Sequence, residues 1–318
     1  MANTVTLNNG HKMPVIGLGT WQATPEQTHR AVKIALEVGY RHVDTAFAYG
    51  NEEAIGAALQ EHFKEGKLKR EDVFITTKLW MTHMKKDDVP INLSESLRRL
   101  KLDYVDLYLV HAPMGFKNRG DWTIFPADEH GKSELESVNL IETWRAMEDL
   151  LDSGKVRAIG VSNFNSEQID LIVQAARHQP VTNQVECNAY FPQEKLEEFC
   201  EKRNIRLTAY SPLGSPGRPG HLINEGSRVL LEETTLQDIG RKYGKTPAQV
   251  LLRNLIQRGI FVIPKSTSPQ RIKENFEVFD FTLTEDDMNK IRQLQTNERM
   301  LKFHFAADHP EYPFNIPY

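Results

Sequence analysis

The chain has 318 residues, 40% of them hydrophobic and 26% charged, with a formal net charge of -4. That is enough apolar material for a large core, and it leaves no basic surface of the kind that binds nucleic acid. Two cysteines, Cys187 and Cys200, exclude a disulfide scaffold, lack the spacing of a zinc site, and point to a reducing compartment.

The N-terminal MANTVTLNNGHKMP has no apolar signal core, no apolar run is long enough to span a bilayer, and the terminal NIPY matches no peroxisomal or ER address. A soluble cytoplasmic monomer is expected, with no nucleic-acid or membrane partner. In chain order, VTLNNGHKMPVI predicts a small hairpin turning at Asn9-Gly10. Short apolar runs then alternate with amphipathic stretches. The predicted strands cover 16–20, 42–46, 73–79, 105–111, 156–162, 183–188, 206–211 and 261–265. They suit burial on both faces, as in a parallel sheet.

Helices are predicted between them. TPEQTHRAVKIALEVG has Thr24 as N-cap, Pro25 at the first helical position, Gln27 to complete a capping box and Gly39 as stop. The stretch GYRHVDTAFAYGNEEAIG starts as a strand and ends as a helix. VNLIETWRAMEDLLDSGK places Leu140, Trp144, Met147 and Leu151 on one stripe. SEQIDLIVQAARH and PQEKLEEFCEKRN behave similarly, while TPAQVLLRNLIQRG and SPQRIKENFEVF each carry a hydroxyl cap followed by proline. Eight alternations predict the α/β class and a (β/α)8 barrel in one domain over 1–318, with a doubly wound sheet as the alternative. Two connections, 112–137 and 212–233, are too long for simple βα loops, and the segment from about 297 to 318 is an irregular, aromatic-rich tail.

In such a barrel the chemistry sits at the C-terminal ends of the strands. There the sequence places Asp44, Lys78, His111, Ser162 with Asn163, Gln184, Tyr210 with Ser211, and Lys265 with Ser266; Tyr49 follows five residues after Asp44. Each alone reads as a cap or a solvated side chain. Together on one rim they read as a site. No helical HExxH, GxSxG elbow, GxGxxG or facing carboxylate pair is present, so metalloprotease, α/β-hydrolase, Rossmann and glycosidase chemistries are disfavoured, and no metal site is expected.

A tyrosine beside a lysine suggests proton donation. A neighbouring ammonium is expected to lower the phenol from its usual pKa of about 10, with Asp44 holding Lys78 by an ion pair and a neutral His111 orienting a carbonyl oxygen. That arrangement suits hydride addition to a carbonyl with Tyr49 as acid, and the hydride must come from a cofactor. In IPKSTSPQRIKENF, a helix N-terminus beside Lys265 and Arg271 suits the 2′-phosphate of NADP(H) over NAD(H). Tyr210 is placed to stack on the nicotinamide, and Ser162, Asn163 and Gln184 to hold its carboxamide.

From Leu7 to Phe314 the sequence resembles the aldo-keto reductase superfamily, in its aldose reductase-like branch. The resemblance rests on MPVIGLGTW, GYRHVDTAFAYGNEEAIG, TTKLW, DLYLVHAP, IGVSNFN, NQVECNAY, TAYSPLGSP and IPKSTSPQRIKENF, in order. It implies a (β/α)8 barrel binding NADPH without a Rossmann fold, and a catalytic tetrad of Asp44, Tyr49, Lys78 and His111. It further implies cofactor contacts at Thr20, Trp21, Ser162, Asn163, Gln184, Tyr210, Ser211, Leu213, Ser215, Lys265, Ser266, Arg271, Glu274 and Asn275. Trp21, Trp80 and Trp122 match aromatic positions of the substrate pocket. Aldose reductases carry tryptophan after the catalytic histidine; this chain has Ala112. The expected consequence is space for a bulky or apolar carbonyl, lined by Phe116, Trp122, Phe303 and Phe305, unless loop or tail side chains fill it. The rival readings are a Schiff-base lyase using Lys78 or Lys265, and a non-catalytic NADPH-binding sensor or structural protein.

Overall fold

The computed structural model describes residues 3–220, 223, 228–316 and 318. Its elements follow in chain order. β1 (Thr4–Thr6) and β2 (Lys12–Pro14) precede β3 (Leu18–Gly19), α1 (Pro25–Val38), β4 (His42–Asp44), α2 (Glu52–Lys64), β5 (Phe74–Leu79), α3 (Val89–Leu100) and β6 (Leu107–Val110). β7 (Gly115–Phe116) and β8 (Leu135–Glu136) lie in the long connection, before α4 (Leu140–Asp152), β9 (Ile159–Ser162), α5 (Ser166–Ala175), β10 (Thr182–Glu186), α6 (Glu194–Glu201) and β11 (Arg206–Tyr210). α7 (Thr234–Tyr243), α8 (Pro247–Gln257), β12 (Phe261–Val262), α9 (Pro269–Phe276) and α10 (Glu285–Arg292) complete the series.

Strands β3, β4, β5, β6, β9, β10, β11 and β12 form one parallel eight-stranded sheet in chain order. It closes on itself. Ile16 bridges Val262 and Gly19 bridges Lys265, both in parallel, and Gly17 N donates to Val262 O at 2.9 Å. Closure needs a glycine at 19, because a Cβ there would lie 2.6 Å from Ile263 O. The architecture is a (β/α)8 barrel, and all eight predicted strands lie in it.

The hairpin plugs the N-terminal end of the barrel. Leu7 and Met13 are buried in a cluster with Phe74, Leu107, Leu109, Ala158, Val181 and Phe261. Its turn is wider than a two-residue Asn-Gly turn: Thr6 pairs with Lys12, and Gly10 N closes onto Leu7 O at 3.0 Å. The reason lies in Asn8 and Asn9, whose side chains leave the turn to bond Pro180 O, Asn204 O and Arg157 O on the barrel floor.

The helix signals act as the sequence predicts. Thr24, Thr246 and Ser268 cap α1, α8 and α9, the first two with complete capping boxes. Each such cap contributes about 1 kcal/mol. Leu140, Trp144, Met147 and Leu150 are buried on α4, while Leu151 is only partly buried. α2, α3, α6 and α7 carry no side-chain cap bond, whereas α10 has a Thr284–Asp287 capping box.

Candidate active site

Asp44 ends β4 and Lys78 sits near the end of β5; β4 and β5 are adjacent, so the two side chains meet inside the rim. Lys78 Nζ lies 2.6 Å from Asp44 Oδ1 and donates to Thr45 O at 2.7 Å. Tyr49 closes a short 3-10 turn, Phe47–Tyr49, and its hydroxyl lies 3.5 Å from the same Nζ. The His111 ring stands edge-on to Tyr49, with centroids 5.8 Å apart, and edge-on to Trp80 at 5.0 Å. Its Nδ1 is buried without a hydrogen-bond partner among the described residues. The structure therefore gathers Asp44, Tyr49, Lys78 and His111 in one place.

Burial sets the protonation of this group. It pushes the Asp44 carboxyl up and the Lys78 ammonium down, and their mutual attraction resists both. His111 is held well below the usual imidazole range by burial and by the Lys78 charge, so it is neutral. The Tyr49 phenol is raised well above its ordinary value, by burial first and then by Asp44. This corrects the expectation of a lowered phenol pKa: the ammonium at 3.5 Å is already neutralised by Asp44 at 2.6 Å. The resting tyrosine keeps its proton.

Lys265 and Ser266 follow β12, and Ser268 caps α9 by accepting from Arg271 N at 3.4 Å. The Lys265 ammonium is lowered by partial burial. Neither Lys265, which follows β12, nor Arg271, in the first turn of α9, has a salt bridge to a carboxylate among the described residues. Glu274 accepts from Gln270 at 2.7 Å and Asn275 is buried one turn on. Ser211 and Ser215 both take the left-handed conformation, with φ of 50° and 47°, which bends the chain after β11 around partly buried Leu213. Later parts of that connection lie outside the described residues.

A model described as the Aldo/keto reductase family matches residues 15–296. The chain belongs to the aldo/keto reductase family. It is 47% identical to aldo-keto reductase family 1 member A1-A of Danio rerio, with 100% of each chain covered. It is 46% identical to family 1 member D1 of Mus musculus, covering 99% of this chain and 97% of that one. The solved structure of the aldose reductase from Schistosoma japonicum superposes with a TM-score of 0.93 at 43% identity, over 99% of this chain and 100% of that one. The protein is thus an oxidoreductase whose chemistry is carbonyl reduction. Among the described residues no helix is long and apolar enough to cross a membrane.

In this reductase Ser162, Asn163 and Gln184, the three residues expected at a carboxamide, are bonded to the rim itself. Gln184 Nε2 donates to Asp44 Oδ2 at 2.8 Å. Ser162 Oγ donates to Gln184 O at 2.7 Å. Asn163, at φ 60°, gives its amide to His111 O at 2.9 Å and accepts from Tyr210 OH at 2.8 Å. Asn163 thereby links the His111 backbone to the Tyr210 hydroxyl. Thr20 Oγ1 donates to Asp44 O at 2.9 Å, and Trp21 is partly buried beside it.

Ala112 does not border open space. It is 1% exposed, inside a cluster with Phe47, Trp80, Met81, Met114, Phe116 and Ala306. Loop and tail residues Met114, Phe116 and Ala306 belong to the same cluster, which favours the filled alternative over open space at Ala112. Trp80 is fixed by an indole N–H bond to Ile124 O at 2.6 Å. Trp122 stacks on His83 at 4.9 Å and 15°, leaving it 40% exposed. Beyond it, Phe125 and Phe305 meet edge-to-face at 5.4 Å and are 52% and 42% exposed. Phe125 also stands edge-on to Trp80 at 5.3 Å.

Sequence reasoning missed the supports. Asn51 bonds Thr20 O, Thr28 and Thr45 behind the Tyr49 turn. Glu186, fully buried at the end of β10, accepts from Met300 N and Leu301 N at 3.0 and 2.9 Å and so pins the tail. His309, also buried, accepts from Glu311 N at 3.0 Å and donates to Glu136 O at 3.0 Å, tying the tail to β8. A carboxylate inside NQVECNAY was the visible hint; its partners, more than 100 residues away, left none.

Proposed function

We propose that this protein reduces aldehydes and ketones with NADPH, Tyr49 giving the proton and a bulky or apolar carbonyl as substrate. The observation that carries the reading is the contact chain Asp44–Lys78–Tyr49, with neutral His111 beside the phenol. Bound NADPH supplies the hydride. Tyr49 keeps its proton until a carbonyl oxygen accepts it, and Lys78 then stabilises the phenolate left behind. Asp44 keeps Lys78 charged, and Gln184 holds Asp44 in place. His111 orients the carbonyl oxygen toward Tyr49.

The cofactor assignment rests on Lys265 and Arg271, two unpaired cations at a capped helix N-terminus, a natural seat for the 2′-phosphate. Ser266, Glu274 and Asn275 adjoin it, and Ser211, Leu213 and Ser215 line the turn that follows Tyr210, on which the nicotinamide would stack. The substrate assignment rests on the aromatic mouth of Trp122, Phe125 and Phe305 rather than on Ala112. A Schiff-base role for Lys78 is disfavoured because its Nζ is buried in an ion pair. The test is NADPH oxidation with a panel of small, aromatic and long-chain aldehydes and polycyclic ketones. Arg271→Ala should weaken NADPH about ten- to hundredfold, the size of a charge-assisted hydrogen bond, and leave NADH nearly unchanged. Equal losses for both cofactors would refute the phosphate role.

A further inference from the structure

Arg99 lies in the last turn of α3, on the outside of the barrel wall. Its guanidinium sits 4.3 Å from the centre of the Phe47 ring. Its Nε donates to Glu95 Oε1 at 2.7 Å, and its Nη1 is 3.9 Å from Glu52 Oε2. The Glu52 side chain is completely buried; Oε1 accepts from Thr77 Oγ1 at 2.7 Å, and Oε2 accepts no hydrogen bond. Phe47 begins the 3-10 turn that ends at Tyr49, and Glu52 begins α2 immediately beyond it. Arg99 thus grips both ends of the short segment that carries the phenol. Thr77 precedes Lys78 on β5, so the same carboxylate also touches the strand that delivers the ammonium.

The approach of α3 is built into the sequence. A Cβ on Gly56 of α2 would lie 2.5 Å from Leu100 O and 2.7 Å from Arg99 O. Only glycine lets the end of α3 come close enough for the guanidinium to reach over Phe47.

We propose that Arg99 is a positioning residue for Tyr49, a cationic clamp that fixes the phenol oxygen relative to Lys78 Nζ by holding Phe47 and Glu52. The inference rests on Tyr49 being the proton donor. Without the clamp, Phe47 loses its cation–π partner and buried Glu52 its nearest counter-charge, and the turn between them loosens. A drift of the donor by a fraction of an ångström lowers the rate steeply while leaving the cofactor site untouched.

The experiment compares wild type, Arg99→Met and Arg99→Lys on a simple aldehyde with NADPH. Arg99→Met should lower kcat about tenfold, a partial version of the hundredfold cost of a 1 Å misplacement. NADPH affinity, read by fluorescence titration, should hold. The solvent deuterium isotope effect on kcat should rise, because proton donation becomes slower relative to other steps. Arg99→Lys keeps a cation over Phe47 and should recover much of the rate; it also decides the matter if Arg99→Met does not fold. Unchanged kcat, or a loss shared by NADPH binding with no change in isotope effect and no recovery by lysine, overturns the clamp. Tyr49→Phe run in parallel separates the two ideas. Retained turnover there removes the donor assignment, whereas a nearly inactive Tyr49→Phe with a normal Arg99→Met removes only the clamp.

Discussion

The two ends of the barrel use the same eight strands for opposite purposes, and β4 shows it in three residues. His42 opens the strand at the plugged end, against Phe74 and Thr76; Asp44 closes it at the other end, against Lys78. At the lower end Leu7 and Met13 of the hairpin seal an apolar cluster. At the upper end the buried groups are ionisable and tied to one another. Stability is concentrated where the barrel is dry and apolar. The proposed chemistry lies where burial is imposed on charge, and there a buried charge needs a partner.

That division can be broken by mutation. The largest effect is expected at the upper end: Tyr49→Phe should remove about 10²- to 10⁴-fold of kcat, the usual worth of a general acid, while thermal denaturation and NADPH binding stay close to wild type. Steady-state kinetics and a melting curve check both halves. At the lower end the pattern inverts. Met13→Ala should cost about 2–5 kcal/mol in urea denaturation through the cavity it leaves, with kcat per folded molecule preserved. If kcat falls in step with stability, the two ends are not separable.

His42 sharpens the comparison through pH. Burial, with a smaller contribution from Lys78, pushes its imidazole down to about 3. The folded protein therefore refuses a proton that the unfolded chain accepts below about 6.5. The stabilisation is complete above that pH and is lost on acidification, at up to about 1.4 kcal/mol per pH unit until the folded pKa is reached. Urea midpoints between neutral and acid pH should fall more steeply for wild type than for His42→Gln. Parallel curves would show that His42 takes no part in acid sensitivity.

The smallest effect belongs to the mouth. Phe305→Ala breaks the edge-to-face contact with Phe125, worth about 0.5–1.5 kcal/mol, so KM should rise a few-fold for a long-chain or polycyclic carbonyl. A small aldehyde should be indifferent. A uniform change across both substrates would take the mouth out of substrate selection.

Much of this was legible in the residues. The strands read as apolar runs, and Thr24, Thr246 and Ser268 announced their helices because a cap is satisfied within a few residues of itself. The rim residues read as a site because a closed barrel sends every strand end to one place. Less legible was the direction of the Tyr49 shift. The sequence puts a lysine near the phenol and an aspartate on that lysine, but it does not show the burial that outweighs the ammonium. The sealing of Ala112 was equally hidden, since Met114, Phe116 and Ala306 reach it from a loop and a tail with no periodic pattern.

By itself, then, the sequence determined the barrel, its polarity and the identities of the four rim residues, because periodicity, capping and strand order are local or repeating signals. Only the tertiary structure decided how those residues are held. Gln184 reaches Asp44 across 140 positions, His309 reaches Glu136 across 173, and Arg99 meets Phe47 only because α2 and α3 touch at Gly56. Such pairs leave no spacing to read: a hydrogen bond between distant segments depends on how helices and loops pack, and packing is settled by the whole chain at once.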